Sequence, residues 1–214
     1  MLLAHARCLI QSKRPDYETA RTILQSAHEN GQEKEMLFDF WFNCESQLGS
    51  IAGETEVCRK ALKLKLNKEY KWSYQLAKSL VRRSSLRSGV DKVNDLMEAS
   101  LYISKSIKDS QNRNREMHIS ESYEMHNLIW KLLENDTSIT WPQSFEFVMN
   151  MIDHGDLRIV VFLNAHRCIV EAEGEAKTSR AKHQLNKLKE KLNKAINALT
   201  KPNQSIQELI FHLD

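Results

Sequence analysis

The residues that could do chemistry in this sequence are histidines and cysteines at close spacing. His5 and Cys8 lie three positions apart, and His166 and Cys168 lie two apart, so each pair could contact one metal ion. A structural zinc site needs four ligands, and these two pairs stand on distant segments without the spacing of a zinc motif. We therefore predict no metal ligand, and we interpret these side chains as buried thiols and half-exposed imidazoles.

Motifs for catalysis or cofactor binding are also missing from the sequence. Its 6 glycines are isolated, and neither G-x-x-x-x-G-K-S/T nor G-x-G-x-x-G occurs, so no glycine loop can cradle a phosphate. Glu171 and Glu173 are two positions apart and would face different sides of a helix, which excludes an acid–base pair. We predict no catalytic residue and no cofactor, and an enzyme is the disfavoured class.

Composition indicates a helical globular protein. The chain has 214 residues, of which 41% are hydrophobic and 28% charged, with only 6 glycines and 3 prolines to interrupt helices. The 4 cysteines form no C-x-x-C pair, as is typical of reduced cytosolic proteins. We find no signal-peptide pattern and no apolar run long enough to cross a bilayer. These features predict a cytoplasmic protein with no membrane partner.

Apolar residues at helical spacing predict a series of helices. Ala20, Ile23, Leu24 and Ala27 form one stripe that begins after Asp16, and an Asn-Gly pair ends it. Residues 159–163 are β-branched, but a lone strand would have no partner, so a helix is favoured there too. The remaining helices are expected at 2–11, 35–48, 54–66, 72–87, 93–107, 118–133, from 141, 176–199 and 205–213, with loops at 50–53 and 109–112.

Several of these helices resemble the tetratricopeptide repeat. Ala61 follows Ala27 by 34 residues, the period of that family. The first helix departs from the family pattern at Arg7, Cys8 and Gln11. The match to the second-helix signature is carried by Asp16, Tyr17, Ala20, Leu24 and Ala27, and weaker matches follow at Cys58, Leu76, Ala77, Leu80, Leu96, Ala99 and Ile103.

The resemblance implies an all-α fold of antiparallel helix pairs stacked as a solenoid. Residues 1–214 would form a single tetratricopeptide-like domain, with 176–214 as basic amphipathic capping helices. It also implies a non-catalytic protein–protein interaction scaffold, of the kind found as a sensor or regulatory region in larger bacterial defence or signalling proteins. Because the first helix has no N-cap residue, we expect the C-terminal part of a longer protein; a frayed natural N-terminus is the alternative.

In such arrays the first helix of each pair lines the concave face. A basic, amide-rich groove there would bind a protein or peptide partner, one with acidic residues or a chain terminus. Arg82 is the principal candidate, because a guanidinium can clamp a carboxylate with two hydrogen bonds. Arg82→Glu would then abolish partner capture without changing the melting temperature, whereas an internal ion pair of Arg82 would count against this role. The predicted partner-binding residues are Arg82, Lys78, Asn43, Gln47, Asn127 and Lys131.

Basic helices at 78–87 and 177–201 give an alternative, a nucleic-acid-associated protein. No aromatic residues interleave with the lysines, and charge runs usually form the solvated face of an amphipathic helix. The apolar stripe at 185–199 is interpreted as a cap on the array, and self-association through it is the alternative.

Overall fold

A computed structural model of the chain describes residues 1–113, 116–134, 147–149, 159–175 and 178–199. All regular structure in these ranges is α-helical, which confirms the predicted all-α class. By contacts the chain divides into two compact units, Met1–Ser138 and Ile139–Asp214, where the sequence interpretation has one array. Each unit is described by itself.

In the first unit, each helix packs against the next one along the chain. Contacts between alternate helices include α1 with α3 and α5 with α7. The helices described here are α1 (Leu2–Ile10), α2 (Tyr17–Glu29), α3 (Glu35–Gln47), α4 (Ile51–Lys63), α5 (Glu69–Ser84), α6 (Gly89–Asn112) and α7 (Glu116–Glu134).

In the second unit, α8 (Ile159–Glu175) packs against α9 (Ser179–Leu199), and residues 147–149 are helical. The helix preferred over a strand at 159–163 is confirmed. The rest of the helix predicted from 141, and the one predicted at 205–213, lie outside the described residues. Within the described ranges, no helix combines the length and apolar character that a membrane span requires.

Two predicted loops are wrong because polar side chains fix helix ends there. The first, at 50–53, is mostly helix: the backbone turns at Gly49 (φ 70°), and the Ser50 hydroxyl accepts the Gly53 N–H at 3.1 Å as an N-cap. The second, at 109–112, is the last turn of α6. There the Asp109 carboxylate accepts the Tyr70 N–H at 3.0 Å, which supplies a partner for the start of α5.

The core of the first unit lies between facing helical stripes. Leu37, Phe38 and Trp41 are buried on α3, as its composition predicts, but Met36 is 53% exposed. Successive residues of a helix are about 100° apart, so Met36 falls off the stripe that its neighbours define. Four alanines of the repeat-like pattern are fully buried: Ala20, Ala27, Ala61 and Ala99.

Candidate functional site

The residues predicted to bind a partner lie on α3, α5 and α7. Asn43 is half-buried on α3, whereas Gln47, Lys78, Asn127 and Lys131 are exposed. The three helices are connected in sequence order by side-chain contacts. The Phe38 and Trp72 rings, on α3 and α5, are 6.3 Å apart, and the Tyr70 and His118 rings, on α5 and α7, are 4.9 Å apart.

Arg82 is held in an internal ion pair. Its Nη1 donates to both carboxylate oxygens of Glu54, at 2.7 and 2.8 Å, and the Ser79 hydroxyl donates to the same carboxylate at 2.7 Å. The Glu54 side chain is 1% exposed, so Arg82 is the cation that compensates a buried charge. This arrangement counts against Arg82 as the clamp for a partner carboxylate.

Two further arginines, Arg83 on α5 and Arg87 just after it, are also paired with a buried carboxylate. Asp95 on α6 is 3% exposed. Arg83 donates to it from Nε at 3.0 Å and from Nη2 at 2.6 Å, and Arg87 donates at 3.3 Å. The hydrogen bonds from Arg83 to Asp95 raise the pKa of the Arg83 guanidinium. Three of the four basic side chains in the run at 78–87 are therefore engaged in ion pairs within the fold, which counts against its use as a nucleic-acid surface.

A third buried carboxylate joins α2, α3 and α4. Glu45 is 3% exposed and accepts the Trp41 indole N–H at 3.0 Å, while the Arg21 guanidinium is 3.9 Å away. A methyl group added to Gly53 would lie 2.0 Å from Glu45 Oε2. The glycine at this position therefore makes room for the carboxylate.

Cys8, which we predicted to be buried, is exposed, whereas the other three cysteines are buried. Two of the buried cysteines, Cys44 and Cys58, are poor candidates for chemistry. Burial raises the pKa of the Cys44 thiol to about 11, with a further contribution from the Glu45 charge. Burial also raises the pKa of the Cys58 thiol. Because the thiolate is the reactive form, both are inert structural groups near neutral pH. Within the ranges that the structure describes, no group of three His, Cys, Asp or Glu side chains is placed to hold a metal ion.

A basic concave surface lies between α4 and α6, and we call it the α4–α6 groove. Its volume is about 650 Å³. Arg59 and Lys63 line one side, on α4, and Lys105 and Lys108 line the other, on α6. Tyr102 on α6, half-buried, also lines the groove.

The carboxylates of the α4–α6 groove are fewer than its cations. Glu69 and Asp109 also line it, but Asp109 is engaged by the Tyr70 N–H at 3.0 Å and by Arg113 Nε at 3.2 Å. A second concavity of about 440 Å³ shares Arg59 and Lys63 with the groove and adds Lys60 and Arg83.

Sequence reasoning missed the α4–α6 groove because its two sides are about forty residues apart in the chain. The signal was present in two short patterns, Arg59-Lys60-x-x-Lys63 and Lys105-x-x-Lys108. Residues three and four apart share a helical face, so each pattern predicts a local basic patch. Only the packing of both α4 and α6 against α5 brings the two patches together.

The chain matches no protein-family model, no curated protein and no solved structure.

Proposed function

We propose that this chain is a non-catalytic protein–protein interaction scaffold of the tetratricopeptide-like type, acting as a regulatory region for an acidic protein or peptide partner. The observation that carries the proposal is that contacts between alternate helices join residues at a sequence spacing close to one repeat. Helices that pack only with their sequence neighbours need not form rows, whereas a stacked array needs regular contacts two helices apart.

Contacts between neighbouring helices support antiparallel pairing. On α2 and α3, Arg21 reaches Glu45, whereas the later His28 contacts the earlier Phe38, with ring centroids 5.5 Å apart. Two helices are antiparallel when residues later in the first helix contact residues earlier in the second, as these two pairs do.

The pair α5 and α6 follows the same rule. Near the start of α5, the Tyr70 N–H bonds Asp109 near the end of α6. Near the end of α5, Arg83 bonds Asp95 in the second turn of α6. These two contacts support the same antiparallel arrangement further along the chain.

Contacts between alternate helices support a row of parallel helices. Lys68 Nζ on α5 is 3.3 Å from Glu35 on α3, and Lys71 donates to Asp39 one turn later on both helices. These pairs join residues 33 and 32 positions apart, close to the period of about 34 for this type of repeat. The α5–α7 contact between Tyr70 and His118 would extend the row.

The partner-binding face that we propose is the exposed polar side of this row. Gln47, Lys78, Asn127 and Lys131 occupy exposed positions on the three helices, and Asn43 is half-buried beside them on α3. Lysine ammonium groups and side-chain amides favour an acidic ligand. Arg82 is left out of this face because Glu54 holds its guanidinium.

Selection from a random-peptide display library on the intact chain tests the proposal. We expect enrichment of sequences rich in Asp and Glu, and we expect Lys78→Glu/Lys131→Glu to weaken their binding by at least about tenfold, because both cations become like charges. The matched control is Lys13→Glu/Arg14→Glu, which makes the same charge change at exposed positions in the turn between α1 and α2, outside the three helices of the row.

Binding that falls equally in both double variants would reflect net charge alone and would contradict a defined face. The absence of any enriched peptide family would contradict the scaffold proposal itself. Circular dichroism of each variant verifies that the helical content is unchanged.

A further inference from the structure

We propose that the α4–α6 groove binds a compact small molecule that carries two or more linked phosphates. This site is separate from the partner-binding face of α3, α5 and α7, and it does not depend on the scaffold proposal. It would make the chain responsive to a soluble phosphorylated ligand.

Cations line the groove from two sides. Arg59 and Lys63 are four positions apart on α4, and Lys105 and Lys108 are three apart on α6, so each pair lies on one helical face. A ligand between the helices would meet positive charge on both flanks. That arrangement suits a compact polyanion better than a single carboxylate.

Several of these cations have N–H donors that are available to a ligand. Among the described residues, Lys63 and Lys108 have no ion-pair partner. Lys105 lies over the Tyr102 ring, 4.9 Å from its centroid, which leaves the ammonium donors available. Arg59 contacts both oxygens of Glu98 from Nη2 alone, at 2.6 and 2.8 Å, and the pair is partly exposed.

The size of the groove favours a small molecule. Its volume of about 650 Å³ lies within the range of about 300–1,000 Å³ that is usual for small-molecule sites. A polynucleotide would need a longer basic path, and Arg82 and Arg83 on α5 and Arg87 just after it are paired with Glu54 and Asp95.

Lysine is a common phosphate ligand because its ammonium is a compact point charge with three donors. Recognition here would come from side chains, so the lack of a glycine-rich loop in the sequence is no obstacle. Tyr102 adds a half-buried aromatic ring to the lining, on which a nucleobase could stack. The shared chemistry is therefore an oligophosphate, either free or carried by a nucleoside.

Isothermal titration of the intact chain with sodium tripolyphosphate and with ATP, at about 50 mM and 150 mM salt, tests the proposal. We expect saturable binding with one site per chain, weaker at the higher salt because counterions compete for the lysines. Tighter binding of ATP than of tripolyphosphate would indicate that the base stacks on Tyr102. Equal binding would indicate that only the phosphates are recognised. Both outcomes support an oligophosphate site.

Charge reversal locates the site. Lys63→Glu/Lys108→Glu should weaken tripolyphosphate binding by at least about tenfold, since it places a like charge on both flanks. Glu69→Gln should strengthen it a few-fold by removing an acidic group from the lining. The matched control Lys13→Glu/Lys34→Glu has the same net charge as the first variant and should bind like the unmodified chain.

Three results would overturn the proposal: no saturable binding of either ligand at millimolar concentration and low salt, equal loss in the control variant, or displacement of both ligands by a duplex oligonucleotide that binds far more tightly. The last would make the groove part of a nucleic-acid surface. Failure of this site would leave the peptide-display result unaffected, because that experiment uses different residues.

Discussion

At the scale of single residues, the first unit is distinguished by buried carboxylates with arginine partners. Glu45, Glu54 and Asp95 are each at most 3% exposed. An isolated buried charge is strongly unfavourable, so the position of each arginine is fixed by stability rather than by exposure to a ligand. The pairs also connect helices, since Glu54 of α4 reaches α5 and Asp95 of α6 reaches α5.

Arg82→Glu is expected to destabilise the chain by about 3 kcal/mol, because it removes the partner of a buried carboxylate and adds a second negative charge beside it. Urea unfolding followed by circular dichroism measures this. The result differs from the sequence-based expectation of an unchanged melting temperature. Lys78→Glu, an exposed position one turn earlier, should stay within about 0.5 kcal/mol. Equal stability of the two variants would contradict the role assigned to Arg82.

Gly53→Ala is expected to destabilise by about 1–3 kcal/mol through overpacking, even though alanine is the better helix former. The new methyl group would lie 2.0 Å from Glu45 Oε2, and that carboxylate is held by the Trp41 indole. Gly174→Ala on α8 is the control: nothing lies within 4 Å of the added atom, so the variant should gain a few tenths of a kcal/mol, up to about 1. Thermal unfolding of both variants is the measurement, and a stabilised Gly53→Ala would show that the carboxylate can move aside.

At the scale of helices, termini are set by turns and by polar side chains from neighbouring elements. Gly31 and Gly49 adopt positive φ (78° and 70°) after α2 and α3, where glycine is favoured. After α4 the equivalent position is Lys65, with φ 50°, the only non-glycine residue with positive φ among those described. A lysine side chain is strained in this conformation.

Lys65→Gly is therefore expected to stabilise the chain by about 1 kcal/mol, because glycine adopts the left-handed conformation without strain. Asn67→Gly, two residues along and without positive φ, should be neutral or slightly destabilising because it only adds freedom to the unfolded chain. Chemical denaturation compares the pair. A loss of stability in Lys65→Gly would mean that the lysine side chain makes a favourable interaction that outweighs its backbone strain.

At the scale of the whole molecule, the contacts divide the chain into Met1–Ser138 and Ile139–Asp214. The first unit has its own core of buried aromatic and aliphatic side chains from α1 to α7, including Phe38, Trp41 and Trp72. A compact unit with its own core has the features of an independently folding domain.

A fragment of residues 1–138 is expected to fold alone, with a helical spectrum and a single cooperative thermal transition. Circular dichroism and near-ultraviolet signals from its tryptophans measure this. A helical fragment that melts without cooperativity would show that the core of the first unit needs the second unit for its packing.

The sequence by itself determined the all-α class and the approximate position of most helices. Apolar spacing, as at Ala20, Leu24 and Ala27, is a local property of the chain, and so are caps such as Asp16, whose carboxylate accepts the Thr19 N–H. Both features could be predicted from the sequence because the interacting residues lie within a few positions of each other.

Only the tertiary structure decided what the charged residues do. Arg82 and Lys78 are both basic residues of α5, but packing places a buried carboxylate from α4 beside one and leaves the other exposed. Likewise, the basic patches of α4 and α6 form one groove only because both helices pack against α5. Ion pairing and desolvation depend on distances between residues remote in sequence, which local patterns do not contain.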